Sequence, residues 1–207
     1  MAHKGGRRAG RKAPGRRICI VTEGHATERE YLEALRTRLG ISKDLVRIDY
    51  TTGYTDVASL TRYAIRKAGD RHDPFDEWWV VADSEQDERA VREAQSLAAS
   101  RNDVHIAISR PCFEVWPLLH LRQSSRPYNT PAECQRDLDT LLPGYLKGKK
   151  HLMPFMPMLI ESVPDAVKAA KRMRDGGAAV GNPAPTDMDL LVSRLNEQAA
   201  PGDAFGL

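Results

Sequence analysis

The stretch Glu77 to Asp83 reads Glu-Trp-Trp-Val-Val-Ala-Asp, with five apolar residues in unbroken succession. A strand with one wet face alternates apolar and polar side chains. A continuous apolar run suits a strand covered on both faces, as in a parallel sheet sandwiched between helices. The segment predicts a strand at about Glu77–Ala82, and its neighbours in sequence supply matching elements. "RICIVT" (17–22) predicts a first strand, "VRIDYTT" (46–52) a second and "DVHIAIS" (103–109) a fourth. Helical patterns separate them. Tyr31, Leu32, Leu35 and Leu39 repeat at helical spacing, with Gly40 closing the helix and Thr27-Glu28-Arg29-Glu30 fitting a capping box. Asp56 caps a second helix through about Lys67, and a charged helix spans roughly Glu85–Ser100. Strand–helix alternation of this kind predicts an α/β domain with a mainly parallel sheet flanked by helices.

After Leu121 the pattern changes to a polar, proline-containing loop and then to helices near 131–142, 164–174 and 186–197. The expected organisation is a basic arm over 1–16, an α/β core over 17–122 and a helical extension over 123–207 packed on that core. Residues 1–17 hold seven Lys or Arg and no acid, and subtracting those seven from the overall +3 leaves −4 for the remainder. An arm of that composition is expected to be disordered in isolation. It suits either non-specific phosphate contacts or a merely solubilising role. Three cysteines without a CxxC spacing read as reduced thiols, and the N-terminus lacks the apolar segment of a secretory signal. No apolar run approaches the ~20 residues of a membrane span. A cytoplasmic protein is the expectation.

Ligands of open parallel sheets bind beyond the carboxyl ends of the strands, where connections diverge to opposite faces. The first strand ends in Thr22-Glu23-Gly24, the third in Asp83-Ser84-Glu85-Gln86-Asp87, and the fourth in Ser109-Arg110. In the common 2-1-3-4 strand order Glu23 and Asp83 share one crevice. Carboxylates gathered there repel one another, and a divalent cation with a preference for oxygen, Mg²⁺ or Mn²⁺, relieves the conflict. Gly24 lets the chain turn tightly and leaves room for a phosphate. Such a site fits metal-assisted phosphodiester cleavage. The other reading of these acids is structural: a solvated turn, with Asp83, Ser84 or Glu85 capping the next helix.

These segments resemble the RloB family, whose fold and acidic motifs are similar to the Toprim domain of topoisomerases, primases and OLD-type nucleases. "IVTEGHATEREYLEAL" resembles the family's opening strand, EG turn and helix, and "DEWWVVADSEQDE" resembles its acidic strand. "SRPCFEVWPLLHL" is similar to its most characteristic run. "YLKGKK" resembles a Y-x-K element, and "GNPAPTDMDLLVSRL" a helix start near the end. The resemblance runs from Arg17 to about Glu197. It implies a Mg²⁺-dependent nuclease acting on DNA or RNA, an AAA- or ABC-type ATPase partner, and a role in bacterial defence against phage. By position, Glu23 is implied as general acid/base or metal ligand, Asp83 and Glu85 as the pair holding the metal, and Asp87 as an outer ligand. Lys147 falls at the Y-x-K position. The family pattern Asp-Arg-Asp is here Asp83-Ser84-Glu85, which lengthens one ligand and removes a cation.

The remaining candidates come from the residues themselves. Gly24, Thr27, Ser109, Arg110, Lys149 and Lys150 are the expected substrate contacts, the lysines lying in a glycine-containing loop suited to phosphate. On a helix starting near Cys112, Phe113 and Trp116 read as core and Cys112 as packing. Glu114 and His120, polar residues in an apolar segment, need partners. They stand either as groups backing the ligands or as a satisfied buried pair. Two other functions compete with the nuclease: a binding subunit whose acidic site has decayed, and a receiver-like switch with Asp83 as phosphate acceptor. The receiver reading lacks paired acids after the first strand. A homo-oligomer is compatible with all of these.

Overall fold

The computed structural model describes residues 15–24, 26–51, 53–54, 56–70, 72, 74–84, 87–123, 126–147, 149–178 and 184–207. Most of the basic arm and Glu85 lie outside the described residues, as does the Gly181-Asn182-Pro183 of the late motif. Four strands form the sheet: β1 (Ile18–Thr22), β2 (Val46–Tyr50), β3 (Glu77–Asp83) and β4 (Val104–Ser109). Their order is β2-β1-β3-β4 and every pairing is parallel. This is the α/β architecture expected from the sequence, and β1 and β3 are neighbours, the arrangement on which a shared crevice for Glu23 and Asp83 depends.

Alternation along the strands divides their side chains between two cores. Cys19, Val21, Trp78, Val80, Ala82, Val104 and Ile108 face α2 (Val57–Ala68) and α3 (Glu88–Ala99). Ile18, Ile20, Val46, Ile48, Trp79, Val81 and Ala107 face the other way, toward α1 (Thr27–Arg38). That second core continues without a break into α4 (Val115–Leu121), α5 (Pro131–Leu141), α6 (Met156–Glu161), α7 (Val163–Ala178) and α8 (Met188–Asn196). The helices of the second half therefore share their core with the sheet. Burial of Trp78, Trp116, Tyr31 and Phe113, each at most 2% exposed, makes this apolar packing the dominant source of stability.

Local chemistry explains the helix boundaries. Asp56 accepts from the Ser59 amide at the start of α2, as its position predicts. Gly40, at φ +62°, closes α1 in the left-handed region where an L side chain is strained. The Thr27–Glu30 capping box does not form. Thr27 lies inside α1 and donates to the Lys150 carbonyl, while Glu30 accepts from the Leu152 and Met153 amides and from His151. Tertiary partners from the extension have taken both side chains. The turn after β3 is capped by Asp87, which accepts from the Arg89 and Ala90 amides.

The extension also covers the outer edge of β4. Ser109 bridges Thr186 in antiparallel fashion, Arg110 donates its amide to Pro185, and Asp187 donates its amide to Ile108. The exposed edge of a sheet is thereby blunted. At the opposite end of β3, buried Glu77 receives a bidentate grip from Arg194 of α8 at 2.7 and 2.8 Å. Removing the acid leaves the half-buried Arg194 guanidinium with only the exposed Glu197, at 2.6 Å, as a partner among the described residues. Glu77→Ala is expected to lower the unfolding free energy by roughly 3 kcal/mol, measured by urea denaturation.

Candidate active site

The connection after β1 runs through α1 on one face, whereas the connection after β3 runs through α3 on the other. The sheet's switch point therefore lies between the carboxyl ends of β1 and β3. Glu23 follows Thr22 there, its amide donating to the Val81 carbonyl at 3.3 Å, so β1–β3 pairing extends one residue past the strand. Asp83 ends β3. Its position has the parity of Trp79 and Val81, which turns it toward α1 and α4 and away from α3.

Two further acids meet it on that side. Glu28 of α1 is 8% exposed and Glu114, just before α4, is 5% exposed. Burial first, then the charges of Glu28, Glu114 and Glu23, holds the Asp83 carboxyl well above the usual carboxylate range. The Phe113 backbone hydrogen bond opposes this. Burial likewise pushes Glu28 up to about 7, with Glu114 and Glu23 adding to the shift. The Asp83 Oδ1 is sealed from solvent and has no hydrogen-bond partner among the described residues. Four carboxylates thus share one region of low polarity, and one buried acceptor atom is left without a donor.

Glu28 is the site residue that the sequence reading missed, having been absorbed into the capping box. A signal was present: Glu28, Tyr31, Leu32, Leu35 and Leu39 stand at i, i+3, i+4, i+7 and i+11 on one helical stripe, so the acid lies on the buried face. Gly24 owes its identity to the same carboxylate. A Cβ at Gly24 would overlap both Glu28 carboxylate oxygens. The glycine makes room for an acid of this chain.

The other candidates divide. Glu114 accepts from the Tyr145 hydroxyl at 2.7 Å and belongs to the acidic group. His120 does not reach it. Its Nδ1 lies 2.7 Å from the Leu159 carbonyl, which makes that nitrogen the donor, and its Nε2 accepts from Tyr31 at 3.2 Å. Burial pushes this imidazole down to about 3, so it is a neutral core histidine. Ser109 is buried on Thr186 at 2.9 Å, and Arg110 donates to the Ala184 carbonyl and pairs with Asp187 at 3.7 Å. Both fasten the extension to β4. Asp87 is an exposed helix cap.

Lys147, Lys149 and Lys150 are exposed on the loop after α5. Lys149 and Lys150 adopt φ of +57° and +62°, a left-handed conformation that costs a non-glycine residue about 1–2 kcal/mol. Hydrogen bonds hold them there: Lys150 N–H to the Tyr145 carbonyl at 3.0 Å, and Thr27 to the Lys150 carbonyl at 3.1 Å. Thr27 therefore ties the lysine loop to the helix that carries Glu28.

The profile of the RloB-like protein family matches residues 18–195. The chain belongs to the RloB-like protein family. No curated protein and no solved structure matches it significantly. The match takes in every acid of the switch point and the lysine loop, so the site lies within the family's own region. Among the described residues no helix is long and apolar enough to cross a membrane, and Cys19, Cys112 and Cys134 are buried free thiols.

The raised Glu28 pKa has a measurable consequence. Between pH 4.5, its ordinary value, and about 7 the folded chain keeps a proton that the unfolded chain releases. Stability is therefore greatest below this window and declines as pH rises through it. At roughly 1.4 kcal/mol per pH unit the decline reaches about 3 kcal/mol. Asp83 shifts in the same sense. In metal-free buffer Glu28→Gln should flatten the fall, read as the difference in urea unfolding free energy between pH 5 and pH 8. Gly24→Ala should displace the Glu28 carboxylate and reduce the same pH dependence.

Proposed function

We propose that the chain is a Mg²⁺- or Mn²⁺-dependent nuclease of Toprim-like type, cleaving phosphodiester bonds in DNA or RNA. The observation that carries the reading is Asp83: a half-buried residue at the sheet's switch point, with one carboxylate oxygen fully buried and orphaned and with Glu23, Glu28 and Glu114 near enough to raise its proton affinity. All donors are oxygens and the group carries excess negative charge, which suits a hard divalent cation. Among the described residues no three His, Cys, Asp or Glu side chains stand close enough to form a complete cage. Mg²⁺ does not demand one, since it commonly keeps several waters and takes one or two carboxylates plus substrate phosphate.

Asp83 and Glu23 are the residues proposed to hold the cation, with Glu85 as a third ligand at the family's second acidic position. A bound cation supplies charge neutralisation at the phosphoryl oxygen and a more acidic water. Glu28, buried beside these ligands, is proposed to take or give a proton at its carboxylate as a general acid or base. Glu114 keeps its place through Tyr145. Lys147, Lys149 and Lys150 are proposed to meet the phosphate backbone, where their charge offsets the anionic acids and orients the strand. A companion ATPase and a role in defence against phage complete the proposal. Both rest on the resemblance to the family.

The test is cleavage of plasmid DNA and total tRNA by the purified chain, with and without a neighbouring genomic ATPase, in Mg²⁺ or Mn²⁺. Glu23→Gln and Asp83→Asn are each expected to lower cleavage at least ~100-fold. Asp83→Asn relieves like-charge repulsion and should melt at an equal or higher temperature than the parent, which separates lost chemistry from lost folding. Undiminished cleavage in both variants would sink the assigned site. Failure to cleave under any partner condition, with no metal-dependent thermal shift, favours a decayed acidic site serving as a binding subunit.

A further inference from the structure

Tyr145 does more than hold Glu114, because it joins the two charged parts of the site. It is fully buried, and its hydroxyl donates to Glu114 Oε1 at 2.7 Å. The same residue's carbonyl accepts from the Lys150 amide at 3.0 Å, closing the turn that keeps Lys149 and Lys150 left-handed. The Lys150 carbonyl in turn accepts from Thr27 on α1, one residue before Glu28. A chain of hydrogen bonds results. It runs from Glu114 through Tyr145 and the lysine turn to the helix carrying Glu28.

A carboxylate buried among other acids has no strong reason to keep one orientation, because repulsion pushes it in several directions at once. A neutral hydroxyl donor fixes one oxygen and stabilises the charged form without adding charge of its own. Phenylalanine would fill the same space but supply neither effect. We propose that Tyr145 is a positioning residue of the acidic site: it fixes the Glu114 carboxylate beside the cation-holding Asp83 and Glu23 and locks that orientation to the lysine turn. This inference rests on the proposed cation site.

The experiment is a calorimetric titration of the metal-free full-length chain with Mn²⁺. Tyr145→Phe is expected to bind Mn²⁺ ~10-fold more weakly, within the range for loss of a residue that orients a ligand. Circular dichroism should show an unchanged fold. Glu114→Gln should lose a similar factor, and the double variant should be no weaker than Glu114→Gln alone, because both changes break one interaction. Should the phenylalanine variant fold poorly, Tyr145→Met offers a flexible side chain of comparable bulk without a donor. Binding by Tyr145→Phe equal to the parent overturns the role of Tyr145 and leaves the cation site standing. Losses that add in the double variant also overturn it. Absence of Mn²⁺ binding by the parent overturns the cation site, and the role of Tyr145 with it.

Discussion

The rest of the molecule follows from β3 being a central parallel strand buried on both faces. Its apolar run leaves no side of the sheet that water can cover, so each face must be roofed by helices. Helices α2 and α3 roof one face through the odd-register side chains of β1 and the even-register ones of β3. Helix α1 is too little for the other, and α4 to α8 join it in a single apolar cluster. The extension is thus a structural requirement of the sheet. It also brings Tyr145 and the lysine loop to Glu114 and the strand ends.

Packing on that face creates the electrostatic conflict at the site. Asp83 shares the parity of Trp79 and Val81, so its carboxylate is aimed into the helical layer that buries them. Glu28 and Glu114 arrive from helices of the same layer, and desolvation is the leading cause of the shifts of both Asp83 and Glu28. A chain selected for stability alone would replace at least one of these acids. Their persistence, with a buried oxygen left unbonded, is the kind of local disagreement expected where chemistry outranks folding.

Much of this was legible along the chain. The four strands, the Asp56 cap and the position of Glu23 and Asp83 at strand ends all follow from local patterns within single segments. The capping box was misleading because Thr27 and Glu30 find partners more than 120 positions away. Helix α3 begins at Glu88, beyond the expected Glu85, because Asp87 offers its carboxylate to two amides at once. His120 seemed to need a charged partner. It has a carbonyl and a tyrosine hydroxyl instead, contributed by α6 and α1.

The sequence by itself determined the strands, the helices between them and the two acids that end β1 and β3, because each depends on a pattern within a single segment. Only the tertiary structure decided that Glu28 and Glu114 join them, that Ser109, Arg110 and His120 serve the fold, and that Tyr145 bridges acids to lysines. Those outcomes depend on which helix lies over which strand end. Burial and the distances between charges, which set proton affinity, exist only after distant segments have packed together.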